Sequence, residues 1–314
     1  MYPLNSYSSS RLFSLILHQN NTTMIKAWIE AMRLRTLPVS VAGVFAAVAM
    51  NVFDGTFHFR TALLCLVFAL LCQIASNFAN EYYDYRAGRD RVGREGPRRG
   101  VTEGDITPRA MLLATFATLA VAAVVGLAIA AVGGWWLIAV GAVIGIGALA
   151  YSAGPWPLSA HCLGEAAVIA FFGIVPVTLT YYVQAHTVTL SVTMLSLSVG
   201  LMGANVLIVN NYRDAADDAA VGKHTLANTL GSSRMPLLYG ANAILAAILS
   251  LRAWHLVTTL WYIVPLIYIA AALLISRRIS RLHGAPLNPF LGRTSLLMFF
   301  YSLLLLLCAL CASV

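Results

Sequence analysis

Charge is what this sequence has least of. Only 10% of its 314 residues are Asp, Glu, Lys or Arg, and only 12 are acidic. A soluble domain typically carries about 25% charged residues. Too little polar sequence remains here to cover a water-exposed surface, which excludes a soluble globular enzyme, a disordered chain and a repeat solenoid. Cysteine is also sparse: Cys65, Cys72, Cys162, Cys308 and Cys311. The one CxxC spacing, Cys308-Ala309-Leu310-Cys311, lies inside an apolar run with no second pair or His ligand beside it, and four of the five cysteines lie inside such runs, so neither a disulfide framework nor a thiolate metal centre is expected.

Apolar residues are what the sequence has in quantity, at 60% with a mean hydropathy of +0.79. Lipid is therefore the solvent for most of the chain. A helix that crosses a bilayer needs about 20 apolar residues. Runs bounded by polar residues, Gly or Pro predict nine transmembrane helices, near 37–53, 61–80, 110–132, 134–152, 163–185, 189–210, 235–254, 257–276 and 294–313. This is an all-α membrane protein with a single transmembrane domain over 24–314. Residues 1–23 read as a disordered or mis-assigned extension. The patch from Leu12 to Leu17 is too short to span, and Met24-Ile25-Lys26 resembles a natural start.

The net charge of +8 does not call for a nucleic-acid partner. Of the twenty Lys and Arg residues, all but Arg60 and Arg252 fall in the N-terminal segment and in the connections after the second, sixth and eighth spans. Basic residues collect on the cytoplasmic side, so the N-terminus and two long loops, 81–109 and 211–234, are expected there. Polar loops of that length in a compact bundle usually have a function.

Polar residues inside lipid-embedded helices are costly, which makes their placement informative. Gln73, Asn77, Asn80 and Asp84 recur at steps of four, three and four, on one helical face. Asn210, Asp214, Asp217 and Asp218 close the sixth span in a similar way. Asn80-x3-Asp84 and Asn210-x3-Asp214 share one form and open the two long loops, which suggests an old internal duplication. If the two ends face each other, Asp84, Asp90, Asp214 and Asp218 bring four carboxylates to one cavity mouth. Uncompensated, they would repel one another. A hard divalent cation such as Mg²⁺, held with phosphate oxygens, resolves the repulsion and suits a reaction that releases diphosphate. Asp217, Glu81, Glu95, Glu103 and Asp105 read as solvated charges.

The segment from Asn80-Glu81-Tyr82-Tyr83-Asp84 to Arg89-Asp90 resembles the first aspartate-rich motif of the UbiA superfamily of intramembrane prenyltransferases. Asn210-Asn211-Tyr212-Arg213-Asp214 to Asp218, followed by Gly222-Lys223-His224-Thr225, resembles the second. Arg35-Thr36-Leu37-Pro38, Gly96-Pro97-Arg98-Arg99-Gly100, Tyr151 and Leu163-Gly164-Glu165 are similar to the branch that prenylates 1,4-dihydroxy-2-naphthoate. Leu34 departs from it, since a Pro usually follows the first Arg.

The resemblance implies a helical bundle with a central cavity open to lipid and capped by cytoplasmic loops. It implies Mg²⁺-dependent transfer of a polyprenyl chain from polyprenyl diphosphate to the naphthoate, with loss of CO₂. The expected metal ligands are Asp84, Asp90, Asp214 and Asp218. Asn80, Asn210 and Asn211, with Arg213, Arg33 and Arg35, complete the diphosphate and Mg²⁺ shell, and Lys223 binds diphosphate oxygens. Tyr83, Tyr151 and Tyr212 are candidate walls for an allylic cation. Glu165 either faces the cavity or caps its helix, and Pro176 is expected to kink the fifth span. The glycines of the third and fourth spans either allow close packing or leave room for a lipid tail. Prenylation of 4-hydroxybenzoate or homogentisate is the alternative within enzymes. A transporter is the alternative outside them, disfavoured because the acids lie at one membrane edge.

Overall fold

A computed structural model of the chain describes residues 24–93, 95–254 and 260–312. The expected 1–23 extension lies outside the described residues. Among those residues the chain is almost wholly helical. In order, the helices are α1 (Met24–Met32), α2 (Leu37–Phe53), α3 (Phe59–Arg86), α4 (Pro108–Gly133), α5 (Leu137–Ala150), α6 (Gly164–Ala185), α7 (Leu190–Ala220), α8 (Leu226–Leu230), α9 (Met235–Ala253), α10 (Leu260–Ile279) and α11 (Asn288–Ala312).

Among the described residues every predicted apolar run contains a helix, but the count of crossings differs from expectation. Among the described residues seven helices are long and apolar enough to cross a membrane. An eighth arises if α1 and α2, bent by 43° where they meet, form one span. The bend falls at residues 33–36, where Arg33 adopts a left-handed φ of 52°, and Pro38 then starts α2. Helix α5 has 14 residues, about 21 Å at 1.5 Å per residue. It starts late because Gly134, with φ 113°, and the Trp135-Trp136 turn take up the beginning of the predicted run.

Two helices overrun their predicted ends. α3 and α7 have 28 and 31 residues, about 42 and 46 Å. The apolar core of a bilayer is about 30 Å thick, so both project beyond it. Asp84, Asp214, Asp217 and Asp218 thus stand on helical continuations with a fixed rotation about the axis, while Asp90 lies in the loop beyond α3.

The core is built around α2 and α7. Helix α2 is small-residue-rich and buried over most of its length, with Ala42, Ala46, Ala47 and Ala49 inaccessible. It packs on α11 and α6, while α7 packs on α9 and α6. By contrast α4 is mostly outward-facing, and Leu113, Val121, Val124 and Leu127 are exposed. In a lipid solvent such a surface is ordinary rather than a liability.

Helix α6 carries the distortion expected of Pro176, as a π turn over Ile169–Ile174. A proline lacks the N–H for one ladder bond and crowds the carbonyl four residues back. The wider turn absorbs this, and Gly43 of α2 packs on the proline ring. Next to it, Gly173 crosses α7 at Gly200. A Cβ on Gly173 would lie 2.3 Å from the Gly200 Cα. Gly173→Ala is therefore expected to destabilise the fold by about 1–3 kcal/mol through overpacking. Thermal unfolding in detergent measures this, and an unchanged Tm would mean that the crossing tolerates a methyl group.

The first long loop folds back over the bundle end. Glu95 ties it down: its N–H donates to Asp217 Oδ2 (3.1 Å), its carboxylate accepts from the Ala285 N–H (2.7 Å), and its carbonyl accepts from Asn288 (3.0 Å). Glu81, expected to be solvated, is instead buried and accepts from the Val101 N–H at 3.0 Å. The reason is that α3 continues past Asn80 and carries Glu81 beneath the returning loop. Arg98 and Asp105 form a 2.6 Å ion pair within that loop. On the other side of the bundle end, residues 160–162 and 224 are joined by paired backbone bonds, Cys162 N–H to His224 O (2.9 Å) and His224 N–H to Ala160 O (3.1 Å).

Candidate active site

The stripe on α3 points into the bundle as its spacing requires. Gln73 donates to Thr36 Oγ1 (3.2 Å) and Asn77 to the Met32 carbonyl (2.9 Å), both at the α1–α2 bend. One turn further, Asn80 donates to Asp84 Oδ2 (2.8 Å) and to Ser152 Oγ (2.7 Å). Its carbonyl oxygen accepts from Arg33 and, at 3.5 Å, from Arg99. Asn80 thus joins three basic or acidic groups from three parts of the chain.

The end of α7 is organised around Arg213. Its guanidinium grips Asp214 in a two-point fork, Nε–Oδ1 and Nη2–Oδ2 both at 2.7 Å. It also donates to Asn210 Oδ1 (2.8 Å) and, across to α11, to Asn288 Oδ1 (3.0 Å). The fork geometry is one that Arg supplies and Lys does not. Lys223, in the turn after α7, pairs with Asp218 at 3.4 Å.

These two ends meet. A cavity of about 160 Å³ between them is lined by Asp84 and Asp90 from the first motif and by Asp214 and Asp218 from the second. Asn80, Asn210, Asn211, Arg33, Lys223 and Tyr151 line it as well. Four expected participants lie elsewhere. Arg35 is exposed and outside the lining. Tyr83 packs edge-on against Tyr82, with centroids 5.0 Å apart. Arg213 is buried behind Asp214 rather than in the lining, where it fixes the acid and Asn210. Tyr212 is likewise outside and bonds His283 at 3.0 Å.

The structure adds Arg89 and Arg99 to the lining. Arg89 pairs with Asp84 at 3.2 Å and Arg99 with Asp90 at 3.4 Å. Each stood inside a segment matched to the family, Arg89 one residue before Asp90 and Arg99 in Gly96-Pro97-Arg98-Arg99-Gly100, but the bias of basic residues to one membrane side explained them equally well. Glu165 also lines the cavity and accepts from Asn211 at 2.8 Å.

The donor set fits a hard divalent cation: the four aspartates, with Asn80 and Asn210, line one space, and no soft ligand is needed. In the structure each of these aspartates is instead neutralised by a cation of the chain, Asp84 by Arg89, Asp90 by Arg99, Asp214 by Arg213 and Asp218 by Lys223. Among the described residues no three His, Cys, Asp or Glu side chains converge on a single point. Bringing phosphate oxygens to Arg89, Arg99 and Lys223 would free their acids for a metal.

A second, apolar cavity of about 550 Å³ lies between α3, α4, α5 and α6. Gln73, Ser76, Tyr151, Val168 and Phe172 line both, so the two adjoin. The structure separates the two readings of the glycines. A Cβ on Gly141 or Gly145 would meet nothing within 4 Å, and both line the apolar cavity. They leave space there, whereas Gly147 and Gly126 serve close packing, a Cβ on them lying 2.3 Å from the Phe171 ring and 3.2 Å from the Phe68 ring.

Comparison with known proteins decides the family. The pattern of the UbiA prenyltransferase family matches residues 37–304. The chain belongs to that family. This UbiA prenyltransferase is 36% identical over 277 residues to "1,4-dihydroxy-2-naphthoate octaprenyltransferase" of Mycobacterium tuberculosis, covering 88% of this chain and 94% of the relative. It is 33% identical over 280 residues to the Escherichia coli protein of the same name, covering 86% and 90%. Its fold is that of a UbiA homologue from Archaeoglobus fulgidus bound to DMAPP and Mg²⁺, with a TM-score of 0.63 at 18% identity over 87% of this chain and 98% of that one. The apo UbiA homologue from Aeropyrum pernix gives a TM-score of 0.65 at 14% identity, over 90% and 98%. The UbiA chain is thus a multi-pass integral membrane enzyme of the prenyltransferase class.

Proposed function

We propose that the enzyme transfers a polyprenyl chain from polyprenyl diphosphate to 1,4-dihydroxy-2-naphthoate, releasing diphosphate and CO₂, in menaquinone biosynthesis. The observation that carries this reading is the polar cavity shared by both aspartate ends, adjoining an apolar chamber with which it shares a wall. A molecule with a multiply charged head and a long hydrocarbon tail matches that pair of spaces. The names of the relatives and the prenyl diphosphate and Mg²⁺ of the Archaeoglobus homologue support it.

Roles follow from placement. Arg33, Arg89, Arg99 and Lys223 bind the diphosphate, the arginines in two-point contacts and the lysine as a point charge. Asp84, Asp90, Asp214 and Asp218, with Asn80 and Asn210, hold Mg²⁺. When bound, the metal supplies charge neutralisation for the departing diphosphate. Arg213 keeps Asp214 and Asn210 in place from behind. The Tyr151 ring stands at the junction of the two cavities, where the allylic carbon of a bound prenyl diphosphate would lie, and its face favours positive charge. Positioned charges of this kind commonly lower a barrier by several kcal/mol. The aspartate end faces the cytoplasm, by the distribution of basic residues. Nine crossings follow if α2 and α5 are accepted as short ones.

Purified enzyme incubated with Mg²⁺, a polyprenyl diphosphate and naphthoate, 4-hydroxybenzoate or homogentisate tests this directly. The expected product mass is that of prenylated naphthoate less one CO₂. EDTA is expected to bring turnover to background and Mg²⁺ to restore it. An EDTA-insensitive reaction would refute the diphosphate scheme, and exclusive use of another ring would reassign the acceptor.

A further inference from the structure

We propose that Glu165 is a catalytic residue on the acceptor side, orienting the aromatic ring and taking the proton of its reacting hydroxyl. This rests on the reading of the enzyme as an aromatic prenyltransferase.

Glu165 differs from the other acids of the cavity. Each of the four aspartates forms a salt bridge with an Arg or Lys. Among the described residues Glu165 forms none. Its carboxylate accepts from the neutral amide of Asn211 at 2.8 Å, and Lys223 acts on it only through its longer-range field. A carboxylate exposed to a diphosphate-binding cavity opposes the entry of that anion. It offers only acceptor oxygens, so it makes no direct hydrogen bond to diphosphate, whereas a ring hydroxyl presents the donor it needs.

Its position suits the acceptor. Glu165 is at the start of α6, buried, in the lining of the polar cavity. Val168, three residues on, and Phe172, further along the same helix, line both cavities. The carboxylate is therefore about one helical turn from the junction. With the diphosphate head among Arg33, Arg89 and Arg99, and the tail in the apolar chamber, the prenyl C1 lies at that junction. Tyr151 closes the same corner: a Cβ on Gly164 would be 3.7 Å from its hydroxyl oxygen.

The proton balance closes on Glu165. The ring carbon to be alkylated bears the carboxylate and adjoins a carbon bearing a hydroxyl. Glu165 takes the hydroxyl proton, the oxygen lone pair forms the C=O, and the ring carbon bonds to prenyl C1 as the C1–O bond breaks, its electron pair leaving with diphosphate. The alkylated carbon is then next to a ketone and still carries its carboxylate. That C–C bond breaks, CO₂ departs, and the electron pair returns to oxygen as an enolate, which takes the proton back from Glu165. No external acid, base or oxidant is needed.

The test separates ionisation from transfer. Purified wild-type enzyme, Glu165→Gln and Glu165→Asp are given polyprenyl diphosphate labelled with ¹⁸O at the bridging oxygen, with and without naphthoate. Scrambling of the label reports C–O cleavage and return; product formation reports transfer. Glu165→Gln is expected to reduce kcat for transfer about 100-fold or more, as loss of a general base does. Scrambling without acceptor should persist, which also shows that the variant is folded. Glu165→Asp should recover part of the rate. An acceptor methylated at the reacting hydroxyl has no proton to give, so wild type and Glu165→Gln should turn it over equally slowly. Near-wild-type transfer by Glu165→Gln, or loss of scrambling along with transfer, would overturn the proposal alone. Wild-type enzyme that prenylates no aromatic ring would overturn the functional reading and the proposal with it.

Discussion

Replacement of Asp84 or Asp214 by Asn is expected to reduce prenyl transfer by about 10³-fold, or ~4 kcal/mol of transition-state stabilisation. Both acids line the cavity proposed to hold the diphosphate, and an amide of the same shape keeps the oxygen but loses the charge. The two variants should differ in stability. Asp84 pairs with Arg89, whose side chain is 21% exposed, so a released Arg89 stays hydrated and folding is expected to hold. Asp214 pairs with Arg213, whose side chain is 2% exposed. The guanidinium would keep Asn210 and Asn288 as acceptors but lose its counter-charge, so Asp214→Asn should also lower Tm. Asp217→Asn is the control. Asp217 is outside the cavity lining and accepts from the Glu95 N–H, and its replacement should stay within about twofold of wild type, since changes at such sites move energies by about 0.5 kcal/mol. Turnover with saturating Mg²⁺ measures all three. Substantial activity in either Asp84→Asn or Asp214→Asn would remove the acids from the reaction.

How much of this was legible in the sequence depends on which physical constraint was at work. Lipid makes buried polar groups expensive, so the α3 stripe from Gln73 to Asp84 and the Asn210–Asp214 pair stood out against apolar helix, and the structure brings both to one cavity. Arginine is less readable. Eighteen basic residues cluster by topology, and nothing in spacing separates Arg89 and Arg99, which line the cavity, from Arg35, which does not. Only the fold-back of the first loop selects among them. The same fold-back buries Glu81, where a loop charge was expected. Tyr83 follows Tyr82 immediately, and neighbours on a helix point about 100° apart, so the extension of α3 through Arg86 decided which way each ring would face. The helix count turns on the places where composition and length part company. Leu137–Ala150 is apolar enough to be membrane helix but too short, because Gly134 and the two tryptophans delay its start.

Arg213 is where sequence and structure assign different work, and the difference is measurable. Sequence placed it on diphosphate; the structure buries it, 4% exposed, against Asp214, Asn210 and Asn288. Removing one partner of a buried ion pair leaves the other charge uncompensated and costs about 3–5 kcal/mol. Arg213→Met is therefore expected to lower Tm sharply and to reduce the yield of folded protein more than any of the aspartate substitutions. A second change that removes the stranded charge, Asp214→Asn, should restore much of that stability, because two neutral groups replace an unpaired ion. Activity should not return, since Asp214 itself faces the cavity. A structural buttress and a substrate ligand thus give opposite patterns. If Arg213→Met instead folds with an unchanged Tm and loses only turnover, with a raised KM for the prenyl diphosphate, the guanidinium reaches the substrate in the working enzyme and the arrangement seen here is its resting one.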